Sequence, residues 1–201
     1  DNYNFITNFF SELETALSNI TQYPEEVSSK VDYTNFAKWF LIQELIGNWE
    51  PNRFYVLESR ASKLKMYPAW DPEWSMGLAK MGNPVNGGDW FFPPELPNNS
   101  MAIWNSRQYY PWLLNDPAFI TALKHEWSLM KPQLSSVSDA INSVESEITL
   151  AQKDNFDKWP TMGKCYGAAL IAFDSWLEEV NYAKTFFADR ITWMDSYLLN
   201  L

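Results

Sequence analysis

The segment at residues 34–47 constrains the fold more than any other part of the chain. Drawn as an α-helix, it carries apolar side chains around nearly its whole circumference, and it ends at Gly47-Asn48, a typical helix stop. A helix of this kind is stable only when other elements cover it on most sides. The sequence therefore predicts a buried central helix, around which residues 1–201 form a single domain. Its large apolar residues are Phe36, Trp39, Phe40, Ile42, Leu45 and Ile46.

The remaining periodicities predict a mainly α fold with one small antiparallel β-hairpin. Residues 53–58 and 63–68 are short β-prone runs on either side of Ser-Arg-Ala-Ser, which is typical of a hairpin, and residues 22–32 are rich in turn formers. Other helices are predicted at 5–18, 107–114, 117–131 and 137–154 and once or twice within 168–201, with a break at Pro132 and a linker at 155–167.

Residues 71–100 contain too many prolines, glycines and asparagines for regular structure. A loop this long in a compact domain usually has a function or is mobile. Trp90, Phe91 and Trp104 lie in or just after it, and exposed rings of this kind bind sugars or proline-rich peptides. The alternative is that these rings pack against each other as the core of the loop itself.

Charge and reactive side chains exclude several classes of function. A net charge of -10 argues against nucleic acid or an anionic membrane as partner, because both require clustered basic residues. We find no apolar run of the ~20 residues that a transmembrane helix needs. Cys165 is the single cysteine and is predicted to be buried, whereas His125 is predicted to lie on the surface of a helix. Nucleophilic catalysis by a Ser/His or Cys/His pair therefore has no support.

Four oxygen-bearing side chains form a candidate metal site near the predicted hairpin. Asn48 and Glu50 follow the central helix, and Asp71 and Glu73 follow the second strand. Because a hairpin returns the end of its second strand close to the start of its first, we expect these side chains to converge. Carboxylate and amide oxygens suit Mg²⁺, Mn²⁺ or Ca²⁺ rather than zinc. The alternative is that these acids are solvated or cap neighbouring helices.

Several segments, taken together and in order, resemble the spore-coat protein H (CotH) kinase family, in the form found in secreted multidomain proteins of Bacteroidetes and related bacteria. Among them are Leu-Ile-Gly-Asn at 45–48, which ends the central helix, and Trp-Asp-Pro-Glu at 70–73. The matching segments span most of the chain and lie at 33–48, 53–58, 63–71, 114–119, 156–160 and 189–195.

The resemblance implies that this chain is the helical C-terminal lobe of an atypical protein-kinase-like fold, with residues 71–100 as an active-site or binding loop. By this resemblance, we expect the nucleotide-binding N-terminal portion of the family to lie outside residues 1–201. By the same resemblance, Glu50 stands at the position of the catalytic Asp, with Asn48 before it. Asp71 and Glu73 stand at the two acidic positions that hold metal and nucleotide phosphates, which implies Mg²⁺ and ATP as cofactors.

The chain departs from the family pattern because Glu replaces Asp at positions 50 and 73. An extra methylene moves a reactive oxygen by ~1 Å, which costs roughly 10²-fold in rate when positioning is the main source of catalysis. We therefore expect weak or no phosphoryl transfer from ATP to protein hydroxyls. The alternative is a non-catalytic secreted or cell-surface module, without cofactor, that binds glycan or protein through Trp90, Phe91 and Trp104. Other domains of a larger parent protein are expected beside it.

Overall fold

The computed structural model describes residues 1–48, 55–67, 69, 72, 75–78, 109–167 and 169–201. Within these ranges the chain forms seven α-helices, one 3-10 helix and two short strands. In chain order they are α1 (Asn2–Ser18), α2 (Pro24–Lys30), α3 (Tyr33–Ile46), β1 (Tyr55–Val56), β2 (Lys65–Met66), α4 (Tyr110–Leu113), α5 (Pro117–Met130), a 3-10 helix (Lys131–Ser136), α6 (Val137–Lys158) and α7 (Trp176–Asn200).

Helix α3 is the buried centre of the fold, as its all-round apolar sequence predicts. It packs against α5, α7 and β2, and its start is capped by the Asp32 carboxylate, which accepts a hydrogen bond from the Asn35 amide at 3.0 Å. Phe36, Phe40 and Leu41 are fully buried, whereas Ile42 keeps 40% of its surface exposed. Each fully buried apolar side chain contributes about 1.5–3 kcal/mol, so burial of α3 contributes substantially to the stability of the core.

Helix α5 lies beside α3 and is tied to it by a polar contact at its first turn. Asp116 caps α5 by accepting from the Ala118 amide at 2.8 Å, and Pro117 occupies the first helical position, where no amide hydrogen is needed. The same carboxylate accepts a hydrogen bond of 2.5 Å from the Tyr33 hydroxyl. Phe119 on the buried face of α5 meets the Tyr33 ring edge-on, with centroids 5.4 Å apart. The start of α5 is therefore fixed against the start of α3.

The C-terminal part is a pair of long helices, α6 and α7. Helix α7 packs against α3 and α5, whereas α6 packs on α7 and has no buried residue. The predicted break at Pro132 is a 3-10 segment that leads directly from α5 into α6. The linker begins later than predicted, because α6 continues to Lys158. Of the one or two helices predicted within 168–201, one forms, and it is α7.

The N-terminal helices and the hairpin complete the fold. The strands pair antiparallel with Tyr55 opposite Met66 and Val56 opposite Lys65, which confirms the hairpin and the mainly α class. The prediction of turns at 22–32 was wrong, because α2 forms there. Its start carries Pro24 and two glutamates, and its last turn carries Lys30, all favourable to a short helix.

Two predictions about reactive side chains have different outcomes. His125 is exposed on α5, as predicted. The prediction that Cys165 is buried was wrong, because Cys165 is exposed in the segment between α6 and α7. That segment lacks regular helix or strand over most of its described residues and therefore does not enclose the thiol.

Candidate functional site

The candidate site begins where α3 ends. Gly47 adopts the left-handed conformation, with φ 60° and ψ 47°, which a side chain would disfavour. Its amide donates to the Glu44 carbonyl at 3.2 Å, and the Asn48 amide donates to the Gln43 carbonyl at 3.1 Å. Asn48 is buried at 1% exposure. The chain thus leaves α3 through a tight turn that leads directly toward position 50.

A second turn, at residues 75–78, lies against this helix end. The Ser75 amide and hydroxyl both donate to the Pro72 carbonyl, at 3.0 Å and 2.5 Å. Met76 and Gly77 have φ angles of 57° and 73°, so both turn residues are left-handed. The Met76 amide donates to the Ile46 carbonyl at 2.7 Å. This hydrogen bond joins the segment that follows position 73 to the last residue of α3.

The described residues therefore flank both halves of the predicted carboxylate site. Glu50, Asp71 and Glu73 themselves lie outside the described residues, as do Trp90, Phe91 and Trp104 of the alternative ligand-binding loop. Of the predicted site residues, Asn48 is described. Within the described ranges no group of three or more His, Cys, Asp or Glu side chains could hold a metal ion. The assignments of these residues to catalysis, metal or ligand stay predictions.

A buried ion pair, which the sequence motifs did not reveal, joins α3 to α7 just before the helix end. The side chains of Glu44 and Arg190 have no exposed surface. The Arg190 Nε atom donates to the Glu44 main-chain oxygen at 2.7 Å, and its Nη2 atom donates to the Glu44 carboxylate. The guanidinium carbon also lies 4.3 Å from the centroid of the Trp193 ring. The one signal in the sequence was a glutamate in a helix that carries apolar side chains around nearly its whole circumference.

Tyr110 of α4 also packs against α3. The Tyr110 ring stacks on Trp39, with centroids 5.8 Å apart and planes 3° apart, and its hydroxyl donates to the Phe36 carbonyl at 3.0 Å. Complete burial raises the pKa of Tyr110 well above its usual value. The hydroxyl therefore stays a hydrogen-bond donor at physiological pH, which fixes α4 against the central helix.

The segment between α6 and α7 reaches the second turn. The Leu170 amide donates to the Leu78 carbonyl at 2.6 Å. The turn at 75–78 is consequently held on one side by α3 and on the other by the chain that enters α7. Because α7 also supplies Arg190, one C-terminal unit contacts both of the described segments that flank the candidate site in the chain.

Comparison with known proteins decides the family. The sequence profile described as CotH kinase protein matches residues 1–194. The chain belongs to the CotH kinase family. The resemblance seen in the sequence is thereby confirmed, and the mainly helical architecture with its small hairpin fits the kinase-like lobe that the resemblance implies. Neither the curated proteins nor the solved structures include a match to this CotH family member.

Among the helices that the structure describes, none is both long enough and apolar enough to cross a membrane.

Proposed function

We propose that this CotH kinase domain transfers the γ-phosphoryl group of ATP slowly to a protein hydroxyl. The hydroxyl oxygen attacks phosphorus, ADP leaves, and the hydroxyl proton passes to the Glu50 carboxylate. Asn48 lies beside this base in the chain, and Asp71 and Glu73 would hold the metal and the nucleotide phosphates. Bound Mg²⁺ supplies charge neutralisation, which is the main requirement of this chemistry.

The observation that carries the proposal is the 2.7 Å hydrogen bond from the Met76 amide to the Ile46 carbonyl. Ile46 lies four residues before Glu50, and Met76 lies three residues after Glu73. Each of these segments spans at most about 14 Å even when extended, which limits how far apart the two halves of the site can lie and supports the proposal of one metal-bound triphosphate between them. The donor set also fits, because carboxylate oxygens are the ligands that Mg²⁺ prefers.

The slow rate follows from the two glutamates. Each is one methylene longer than the aspartate of the family pattern, so its oxygens are displaced by ~1 Å, for which roughly 10²-fold in rate is expected. Pro72 between the two metal-binding positions also restricts how far the backbone can adjust. Metal affinity tolerates this displacement better than catalysis does, because a longer carboxylate still reaches the ion.

The substrate is proposed to be a protein outside the cell or at its surface, since the family takes its name from a spore-coat protein. The competing role is non-catalytic binding of glycan or protein through Trp90, Phe91 and Trp104. No contact among the described residues favours that role, so it enters as an outcome of the experiment below.

Isothermal titration of Mg²⁺-ATP into three proteins tests the proposal. We expect binding heat from the wild type and from Asp139→Ala, a control that removes an exposed carboxylate at the start of α6. Asp71→Ala should lose the heat. Absence of heat from the wild type would contradict the nucleotide role and favour the binding module.

A second arm tests the explanation of the slow rate. The double change Glu50→Asp/Glu73→Asp should raise phosphate transfer to a protein acceptor by about 10²-fold, because it restores the shorter side chains. An unchanged rate in a variant that still binds Mg²⁺-ATP would show that carboxylate length does not limit this enzyme.

A further inference from the structure

We propose that Arg190 is a positioning residue of the candidate kinase site and acts by holding the carbonyl end of α3. This inference rests on the proposed function for its catalytic consequence, but its structural part can be measured separately. Arg190 is not assigned to touch ATP, metal or substrate. Its role is to fix the place from which Asn48 and Glu50 leave the helix.

The contacts of Arg190 are directed at the backbone of α3 as well as at a side chain. Its Nε atom donates to the Glu44 main-chain oxygen at 2.7 Å, the same oxygen that accepts the Gly47 amide at 3.2 Å in the helix-ending turn. Its Nη2 atom donates to the Glu44 carboxylate. A guanidinium makes both contacts from a rigid planar fork, a geometry that a lysine ammonium does not reproduce. The positive charge also lies at the negative end of the helix dipole, where it is favourable.

Stability alone does not account for a buried pair of charges here. Removing two charges from water costs so much free energy that replacing a buried ion pair with well-packed apolar residues often leaves the stability of the protein unchanged or raises it. The neighbouring core residues of α7 are Phe186 and Met194, which are apolar and almost completely buried. What apolar contacts cannot do is hold one carbonyl in a defined direction. We therefore assign the pair to the geometry of the helix end.

The end of α3 is joined directly to the turn at residues 75–78. The Ile46 carbonyl, two residues beyond Glu44, accepts the Met76 amide at 2.7 Å. A shift of the last turn of α3 would therefore be transmitted to the turn at residues 75–78. Since a displacement of about 1 Å can cost 10²-fold in rate, Arg190 controls turnover without contacting a substrate.

The test replaces the pair with apolar residues of similar size and measures the helix end directly. In Glu44→Met/Arg190→Met we expect a melting temperature within about 5 °C of the wild type, because apolar replacements of buried pairs are well tolerated. Amide hydrogen exchange at Gly47 and Met76 should accelerate by about tenfold or more, while the Leu123 amide in α5 should not change. The matched control is Glu145→Met/Lys184→Met, which removes a more exposed ion pair between α6 and α7 and should leave Met76 unaffected.

Unchanged exchange at Met76 in the folded double variant would overturn the proposal. If the double variant does not fold, amide exchange at Met76 is measured in Arg190→Lys instead, because this variant keeps the charge and loses the planar fork. Accelerated exchange at Met76 supports the role, and wild-type exchange overturns it.

Kinetics separate this inference from the proposed function. Where the wild type transfers phosphate, the double variant should lose about 10²-fold in kcat with little change in KM for ATP. A wild type without Mg²⁺-ATP binding would refute the nucleotide role, yet exchange at Met76 would still decide whether Arg190 holds the helix end.

Discussion

The hydrogen bond between Tyr33 and Asp116 offers a quantitative test of how α3 and α5 are joined. The change Tyr33→Phe removes the hydroxyl that donates to the Asp116 carboxylate at 2.5 Å. It leaves the ring, whose edge-on contact with Phe119 has a centroid distance of 5.4 Å. Asp116 is 1% exposed, so water does not readily replace the lost donor, although the Ala118 amide still donates to the other carboxylate oxygen. The variant therefore isolates one polar contact.

The expected loss in free energy of unfolding is about 2 kcal/mol at neutral pH, within the 1.5–3 kcal/mol typical of hydrogen bonds to charged groups. Urea unfolding followed by tryptophan fluorescence measures it. Tyr3→Phe is the matched control, because Tyr3 is 75% exposed and should change stability by less than about 0.5 kcal/mol.

The stability difference between wild type and Tyr33→Phe should also depend on pH above about 10. Burial, followed by the hydrogen bond to Asp116, raises the pKa of Tyr33 well above its ordinary value of about 10. Above that ordinary value the folded state binds more protons than the unfolded state, so this contribution to stability falls as pH rises. The gap between wild type and Tyr33→Phe should therefore shrink by up to about 1 kcal/mol between pH 10 and pH 11, because the unfolded tyrosine is half ionised at pH 10 and the hydroxyl in the folded state is partly exposed to solvent. A gap below about 0.5 kcal/mol at pH 7, or one unchanged up to pH 11, would refute the reasoning.

Two further substitutions test other buried or paired groups. The Gln43 side chain is fully buried, and both of its polar atoms lack a hydrogen-bond partner in the part of the chain that the structure describes. In urea unfolding, Gln43→Met should therefore leave the free energy of unfolding unchanged or raise it by about 1–2 kcal/mol. A clear loss would show that the amide has a partner. Hydrogen bonds from Lys131 and Trp127 lower the pKa of Asp195, so its contribution is present above about pH 4 and is lost as pH falls through the folded-state pKa. Asp195→Asn should accordingly be less stable than wild type at pH 7 but not near pH 2.5, and an equal deficit at both would contradict this assignment.

The predictable parts of the fold are those with strong local signals. The all-round apolar pattern of 34–47 predicted a buried helix, and Asp116-Pro117 predicted the start of α5, because a side-chain cap and a proline act within one turn of the chain. Helix α2 was missed although Pro24 and Lys30 carry helix signals, because seven residues are too few for apolar periodicity to emerge. The end of α6 was misplaced because the linker was predicted to start at residue 155, although Pro160, two residues beyond Lys158, is a typical stop signal.

The candidate site divides in the same way. Its acidic residues were predicted from the sequence alone, because Glu50, Asp71 and Glu73 stand in short motifs that resemble the CotH kinase family, and their roles stay predictions. The pairing of Glu44 with Arg190 could not be predicted in this way, since the two residues lie 146 positions apart and no sequence pattern shows that they meet.

The amino-acid sequence by itself determined the family, the mainly helical class, the central helix and the acidic residues proposed for catalysis. These are properties of residue type, period and local order, which act over a few residues of chain. Only the tertiary structure decided that Met76 meets Ile46 and that Arg190 enters the core beside the end of α3. Those contacts depend on how distant helices pack, and burial of a charge is favourable only where that packing supplies its partner.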